Sequence, residues 1–359
     1  MDLPKHGANP SKVYANLGIE RPTDVVDFSE NVNPAGPPKI IQEVWADLAT
    51  KITAYPDPDG EPFLSAAAAF HGVEKASIFV GNGAAELLAF VAERYRGEKA
   101  IVVHPTFSEY EATLVAKEVD VIRVLSTEEN GFKLPINQIK EAMESASVLY
   151  LCTPNNPTGI LPERDDLDNI IRFGAEKDCD IVLDEAFIDF IGESSSFISE
   201  LSENPHVTII RSMTKMYAIP GIRLGYVLAH PTIINEIKAL APHWNVNGVA
   251  AHIGALCLDA DKYRERAIQH SNGERLKMKV FLEARGCIVT DSEVNFLTFK
   301  PGEGQTARKL YLDLLNKGIV LRHTENFQGM DGHWLRIGMK KVAEMNVLKE
   351  ELARWFVAN

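Results

Sequence analysis

The chain has 359 residues, with 37 Lys or Arg against 50 Asp or Glu, a formal charge of −13 at neutral pH. Hydrophobic residues make up 45% and charged residues 24%, which supports a large packed core and leaves little case for disorder. The acidic balance argues against nucleic acid or an anionic membrane as partner, though it leaves room for a basic pocket inside an acidic shell.

The amino-terminal stretch Met1-Asp2-Leu3-Pro4-Lys5-His6 has neither a basic region nor an apolar run, so no signal peptide is expected. No apolar run approaches the ~20 residues that span a bilayer. Residues 1–35 are dense in Pro, Gly and Asn, and Val25-Val26-Asp27-Phe28-Ser29 is too apolar to float, so an ordered arm is expected.

Residues 36–240 then alternate short apolar runs with amphipathic stretches. The runs are Ile78–Val80, Lys99–Val103, Val121–Leu125, Val148–Leu151, Ile181–Leu183, Val207–Ile210 and Leu224–Leu228. Each is Val/Ile-rich and apolar on both faces, as buried parallel strands are. The stretches Ala84–Tyr95, Ile136–Ser145 and Arg164–Lys177 read as helices between them. This is the pattern of an α/β sheet covered on both sides, with a ligand beyond the carboxyl ends of its strands.

Residues 241–359 change rhythm. A long helix, Asp261 to Arg285, precedes two strands, Cys287–Thr290 and Val294–Phe299, that alternate as though one face met solvent. A helix at Thr306–Asn316, strands at Ile319–Arg322 and Trp334–Ile337, and a last helix carrying Val342, Met345, Leu348, Leu352 and Trp355 complete a smaller α+β domain. The four cysteines, Cys152, Cys179, Cys257 and Cys287, are scattered, with no metal-ligand spacing. Reduced thiols in a cytoplasmic protein with no metal site are expected.

Four segments carry chemistry. In Ser212-Met213-Thr214-Lys215, with Arg223 following, two hydroxyls flank a lysine. A Schiff-base lysine has to be partly desolvated, and hydroxyls with an arginine suit a phosphate. Asp184 ends the apolar run Ile181-Val182-Leu183, where a buried carboxylate requires a cationic partner. Thr153-Pro154-Asn155-Asn156-Pro157-Thr158-Gly159 presents two amides on a turn fixed by proline and glycine. Gly81-Asn82-Gly83-Ala84-Ala85-Glu86 opens a helix whose free N–H groups would cradle a phosphate. It fails as a dinucleotide fingerprint because Glu86 replaces the third glycine.

In this order the segments resemble the fold type I pyridoxal-phosphate enzymes, in the subfamily close to histidinol-phosphate aminotransferases. The resemblance implies a mostly parallel seven-stranded sheet and pyridoxal 5'-phosphate held by Lys215 as a Schiff base. Asp184 would meet the pyridine nitrogen and Asn156 the ring's 3-oxygen. Ala84, Ala85, Ser212, Thr214 and Arg223 would hold the phosphate, and Tyr110 would stack on the ring. It also implies a homodimer in which Tyr55 reaches the neighbouring subunit's cofactor. The family's aminotransferases carry tyrosine where this chain has Phe187.

His6-Gly7-Ala8-Asn9 and Asp27-Phe28-Ser29-Glu30-Asn31-Val32-Asn33-Pro34 resemble the L-threonine-O-3-phosphate decarboxylases of cobalamin synthesis, which have a second glycine where Ala8 stands. That resemblance assigns His6, Gly7, Asn31, Asn156, Arg322 and Arg336 to a small phosphorylated amino-acid substrate. The expected reaction is decarboxylation to (R)-1-amino-2-propanol O-phosphate. Histidinol-phosphate aminotransfer on the same scaffold is the alternative, and a non-catalytic pyridoxal-binding regulator a third reading that lacks any basic DNA-reading module.

Overall fold

Alternation of apolar residues decides how the sheet is covered. The computed structural model describes residues 3, 4 and 6–358; Met1, Asp2 and Lys5 of the amino-terminal stretch, and Asn359, lie outside the described residues. The arm supplies β1 (Val26–Asp27). The large sheet is built from β2 (Ile78–Gly81), β3 (Lys99–His104), β4 (Asp120–Leu125), β5 (Val148–Cys152), β6 (Asp180–Asp184), β7 (Val207–Ser212) and β8 (Gly225–Ala229). The last part adds β9 (Ile288–Val289), β10 (Phe296–Lys300), β11 (Ile319–Val320), β12 (Arg322–His323) and β13 (Leu335–Gly338).

The large sheet runs β2-β8-β7-β6-β5-β3-β4. It is parallel except for β8, which is antiparallel to both β2 and β7. Along β3, Ile101 and Val103 enter one hydrophobic cluster while Ala100 and Val102 enter another. β6 divides likewise, with Ile181 and Leu183 against Val182. Successive side chains point to opposite faces, so both faces are covered along the inner strands, as the doubly apolar runs imply. The edge strand β4 departs from that expectation: only Val124 is buried and Leu125 is 44% exposed, because β4 has a neighbour on one side alone. The whole is the mostly parallel seven-stranded α/β sheet that the resemblance implies.

β12-β13-β10-β9 form an antiparallel sheet. Leu297, Phe299, Leu335 and Ile337 pack on a cluster with Met278, Leu310, Leu348 and Leu352 from three helices. The alternation in Val294–Phe299 predicts solvent on the other face, and here the structure differs: Phe296 to Phe299 are all buried. Phe296 sits edge-on to Phe187, centroids 5.0 Å apart, and the Thr298 hydroxyl donates to the Pro157 carbonyl. Thr298, the polar residue inside this strand, faces protein and not water.

The arm is stitched into this end of the chain. β1 pairs in parallel with β11, Val26 opposite Ile319, and Leu3, Val13, Tyr14 and Phe28 join the same apolar cluster. The helix Gly248–Leu258 packs Ala250, Ile253 and Cys257 into the main cluster of the large sheet. All four cysteines are buried and free.

Candidate active site

The carboxyl ends of β5, β6 and β7 converge on a cavity of about 580 Å³. It is lined by Ala84, Ala85, Tyr110, Asn156, Asp184, Ser212, Thr214, Lys215 and Arg223 from the large sheet's side, and by Arg322 and Arg336 from the small sheet. His6, Gly7 and Asn31 of the arm complete the lining. Of the residues expected from sequence, only Tyr55 stands elsewhere: it is 84% exposed and lies against Trp244, ring centroids 5.1 Å apart.

One end of the cavity is a cup for an anion. The helix Ala84–Glu93 starts at Gly83, which holds φ 88° and offers no side-chain cap. Its first N–H groups therefore stay available, and the positive helix end favours a negative group. Glu86 turns back to accept from the Asn82 N–H at 2.7 Å, fixing the turn. The Ser212 and Thr214 hydroxyls lie 2.9 Å apart. A β-carbon on Gly83 would run into the Arg223 guanidinium, so glycine is what lets the arginine close over the cup. Two hydroxyls, free amides and a guanidinium form a donor set suited to a phosphate.

The middle of the cavity holds Asp184 and Lys215. Asp184 is buried, accepts from the Tyr110 hydroxyl at 2.6 Å and from the Ala186 N–H at 2.9 Å. Burial pushes its carboxyl up, opposed by those two hydrogen bonds and the Lys215 charge. Burial lowers the Lys215 ammonium, and the Arg223 and Arg336 charges add to it against Asp184 and Glu30. A lysine shifted down is closer to the neutral amine that attacks an aldehyde.

Arg322 and Arg336 stand directly opposite each other in β12 and β13. Both are buried. Arg336 donates to Asn156 Oδ1 and, at 2.8 Å, to the Ser29 carbonyl, with its guanidinium 5.2 Å over the Phe296 ring. Its Nε has no partner among the described residues. Burial, then the Arg322 charge, pushes Arg336 down to about 9. Arg322 donates to the His323 carbonyl at 2.8 Å and Asn326 Oδ1 at 2.6 Å. Two like charges across a strand pair destabilise each other, so the site is built for anionic groups.

The arm closes the far wall. His6 Nε2 lies 3.0 Å from Glu109. Gly7 passes so near Ser29 that a β-carbon would come within 2.6 Å of its carbonyl oxygen. Asn31 is buried with Oδ1 lacking a hydrogen-bond partner among the described residues. The paired asparagines divide their work. Asn155 braces the turn, bonded to Pro105, Thr106 and Thr158, and Asn156 faces the cavity. Sequence reasoning passed over Ser29, Glu30, Phe107 and Phe327, which also line it. Glu30 pairs with Lys340 at 2.8 Å, a link across more than 300 positions of chain that no local pattern signals.

The model of the aminotransferase class I and II family matches residues 23–352. The chain belongs to that family. Threonine-phosphate decarboxylase of Salmonella typhimurium is 32% identical over 94% of this chain and 93% of its own length. Histidinol-phosphate aminotransferase of Desulfitobacterium hafniense is 31% identical, covering 84% and 83%. Among solved structures, histidinol-phosphate aminotransferase from Clostridium acetobutylicum superposes with a TM-score of 0.88 at 28% identity, over 92% of this chain and 99% of that one. Enzymes of the class I and II family depend on pyridoxal phosphate, and so does this chain. The cup, the buried carboxylate and the desolvated lysine fit that group.

Proposed function

We propose that this family member removes CO₂ from L-threonine O-3-phosphate, yielding (R)-1-amino-2-propanol O-phosphate for cobalamin synthesis. The observation that carries the reading is the buried Arg322–Arg336 register pair facing the cavity beside His6, Gly7 and Asn31, a wall for a substrate with two acidic groups. The 32% identical decarboxylase supports it.

Lys215 would hold the cofactor covalently, Asp184 would keep its ring nitrogen protonated, and Asn156 would donate to its 3-oxygen. Ala84, Ala85, Ser212, Thr214 and Arg223 would take the phosphate. When bound, pyridoxal phosphate supplies an electron sink for the pair left on Cα as a bond there breaks. Arg336, locked by Asn156 and the Ser29 carbonyl, orients one acidic group of the substrate, and Arg322 with the arm takes the other. The arm excludes water. Once the substrate amine has taken its place on the cofactor, the freed Lys215 Nζ would return a proton to Cα. Phe187 packs on Phe296 and gives this wall no phenol donor.

The protein acts as a cytoplasmic homodimer, with exposed Tyr55 extending to the neighbouring subunit's cofactor phosphate. The division that accompanies this reading is an arm of residues 1–35, a large part of 36–240 and a small part of 241–359. Among the described residues no helix is long and apolar enough to cross a membrane.

The second reading, histidinol-phosphate aminotransfer, has the 31% identical relative in its favour. Incubation with O-phospho-L-threonine and no amino acceptor separates the two. Sustained CO₂ release is expected. Silence there, with turnover of histidinol phosphate and 2-oxoglutarate, would replace the first reading with the second. Lys215→Ala should abolish turnover and the yellow colour.

A further inference from the structure

The motif Asp27 to Pro34 contains two asparagines, and the proposed site uses only Asn31. Asn33 does not line the active-site cavity. It is 3% exposed, and every polar group it has is engaged. Its N–H donates to the Lys215 carbonyl at 3.0 Å. Its side-chain amide donates to the Met216 carbonyl and to the Tyr263 hydroxyl, both at 3.0 Å, and that hydroxyl lies 3.2 Å from the same Met216 carbonyl. Its Oδ1 accepts from the Ala35 N–H at 3.1 Å. The Tyr263 hydroxyl passes its own proton to the Gly36 carbonyl at 2.6 Å.

These bonds fall where the backbone of Lys215 has least support. β7 ends at Ser212, and residues 213–218 run on as turns, with Ala218 at φ 52°. No helix or sheet ladder satisfies the carbonyls of Lys215 and Met216, and buried carbonyls left without donors are costly. Ala218 reaches the Lys215 carbonyl only at 3.4 Å. Asn33 therefore fixes two consecutive peptides at the base of the lysine side chain. The same strap is held on its other side by Arg336, which donates to the Ser29 carbonyl, by Asn295, which donates to the Asn31 carbonyl at 2.8 Å, and by Lys340 on Glu30.

We infer that Asn33, with Tyr263 behind it, is the positioning residue of Lys215: the strap sets the lysine's peptide and ties its place to that of Arg336. The inference rests on Lys215 being the cofactor lysine. Asparagine is required by its chemistry, since two donors and an acceptor on a short stem serve three partners at once. Aspartate keeps the shape but sets lone pairs against the Met216 carbonyl.

The test compares wild type, Asn33→Ala and Tyr263→Phe. Borohydride reduction followed by peptide mapping establishes whether Lys215 carries the cofactor. Pyridoxal-phosphate titration of each apoprotein, followed by absorbance, gives its dissociation constant, and kinetics run at saturating cofactor. For Asn33→Ala we expect the dissociation constant to rise about tenfold and kcat to fall about tenfold, the scale of one net hydrogen bond, with substrate KM nearly unchanged. Tyr263→Phe should give the same signature at about two- to fivefold, because the amide keeps its bond to Met216. Should Asn33→Ala fail to fold, Tyr263→Phe carries the test. Variants that melt earlier as apoproteins yet bind cofactor and turn over like wild type would reduce Asn33 to a structural residue and overturn the inference. A wild-type protein with no reducible link at Lys215 would instead overturn the reading of the site, and this inference with it.

Discussion

The Tyr110 hydroxyl donates to Asp184 Oδ2 at 2.6 Å, joining an aromatic residue of the cavity wall to the carboxylate at its centre. With the Ala186 N–H on Oδ1, both oxygens of a buried acid are satisfied. The bond lowers the carboxyl pKa against the upward push of burial. Removing it in Tyr110→Phe lets that pKa climb further. Since the site works with Asp184 ionised, the acid limb of kcat/KM should move to higher pH. A charge-assisted hydrogen bond contributes roughly 1.5–3 kcal/mol, about one to two pH units. An unmoved acid limb would contradict this role.

Arg336 recognises its ligand through a planar fork pinned by Asn156 and the Ser29 carbonyl. Lysine in its place keeps the charge and loses the fork. Arg336→Lys is expected to lower kcat/KM for the phosphorylated amino acid by about a hundredfold, in the range for truncating a buried charge pair. Cofactor affinity should change little. Equal losses in both would mean that the arginine shapes the whole cavity.

His323 is buried, and its Nε2 donates to the Pro4 carbonyl at 2.8 Å. Burial, then the Arg322 charge, pushes it down to about 3 from a usual 6.5. The unfolded chain therefore binds this proton more readily. The stability from the neutral ring is fully present above pH 6.5 and is lost as pH falls toward 3, by about 1.4 kcal/mol per unit. His323→Gln keeps a donor for Pro4 and removes the titration. Denaturant melts between pH 7 and 4 should show wild type losing stability faster than the variant; parallel curves would refute the assignment.

Ala8 occupies φ 61°, the left-handed region that costs a non-glycine residue about 1–2 kcal/mol. Its N–H is held at 2.9 Å by Ser29 Oγ, so the arm keeps the strained turn. Ala8→Gly should relieve it and lower the substrate KM, since the arm closes the cavity. An unchanged KM would show that the arm's seating does not limit binding.

How much of this was open to sequence reasoning varies with the range of the interaction. The inner strands of the large sheet were legible because burial on both faces leaves apolar Val/Ile runs; the edge strand β4 was read the same way, yet only Val124 of it is buried. Asp184 ends such a run, and Asn156 and Lys215 follow β5 and β7 within a few residues. The reversed direction of β8 was not legible, because an apolar run reads the same either way. The strand at Phe296–Lys300 misled in a specific way. Its Thr298 is polar because it meets Pro157 in the other half of the molecule, and a polar face turned to protein looks like one turned to water. The Tyr110–Asp184 bond and the Glu30–Lys340 pair join residues far apart in the chain, and periodicity carries no information about them.

The parallel pairing of Val26 with Ile319, and the 2.7 Å bond from the Tyr14 phenol to the Leu315 carbonyl, have a consequence for biosynthesis. These two links can form only after residues 315–320 have left the ribosome. The central sheet, complete by Ala229, is synthesised before β1 has its partner strand, so the arm gains its seat at the cavity mouth only once β11 is in place.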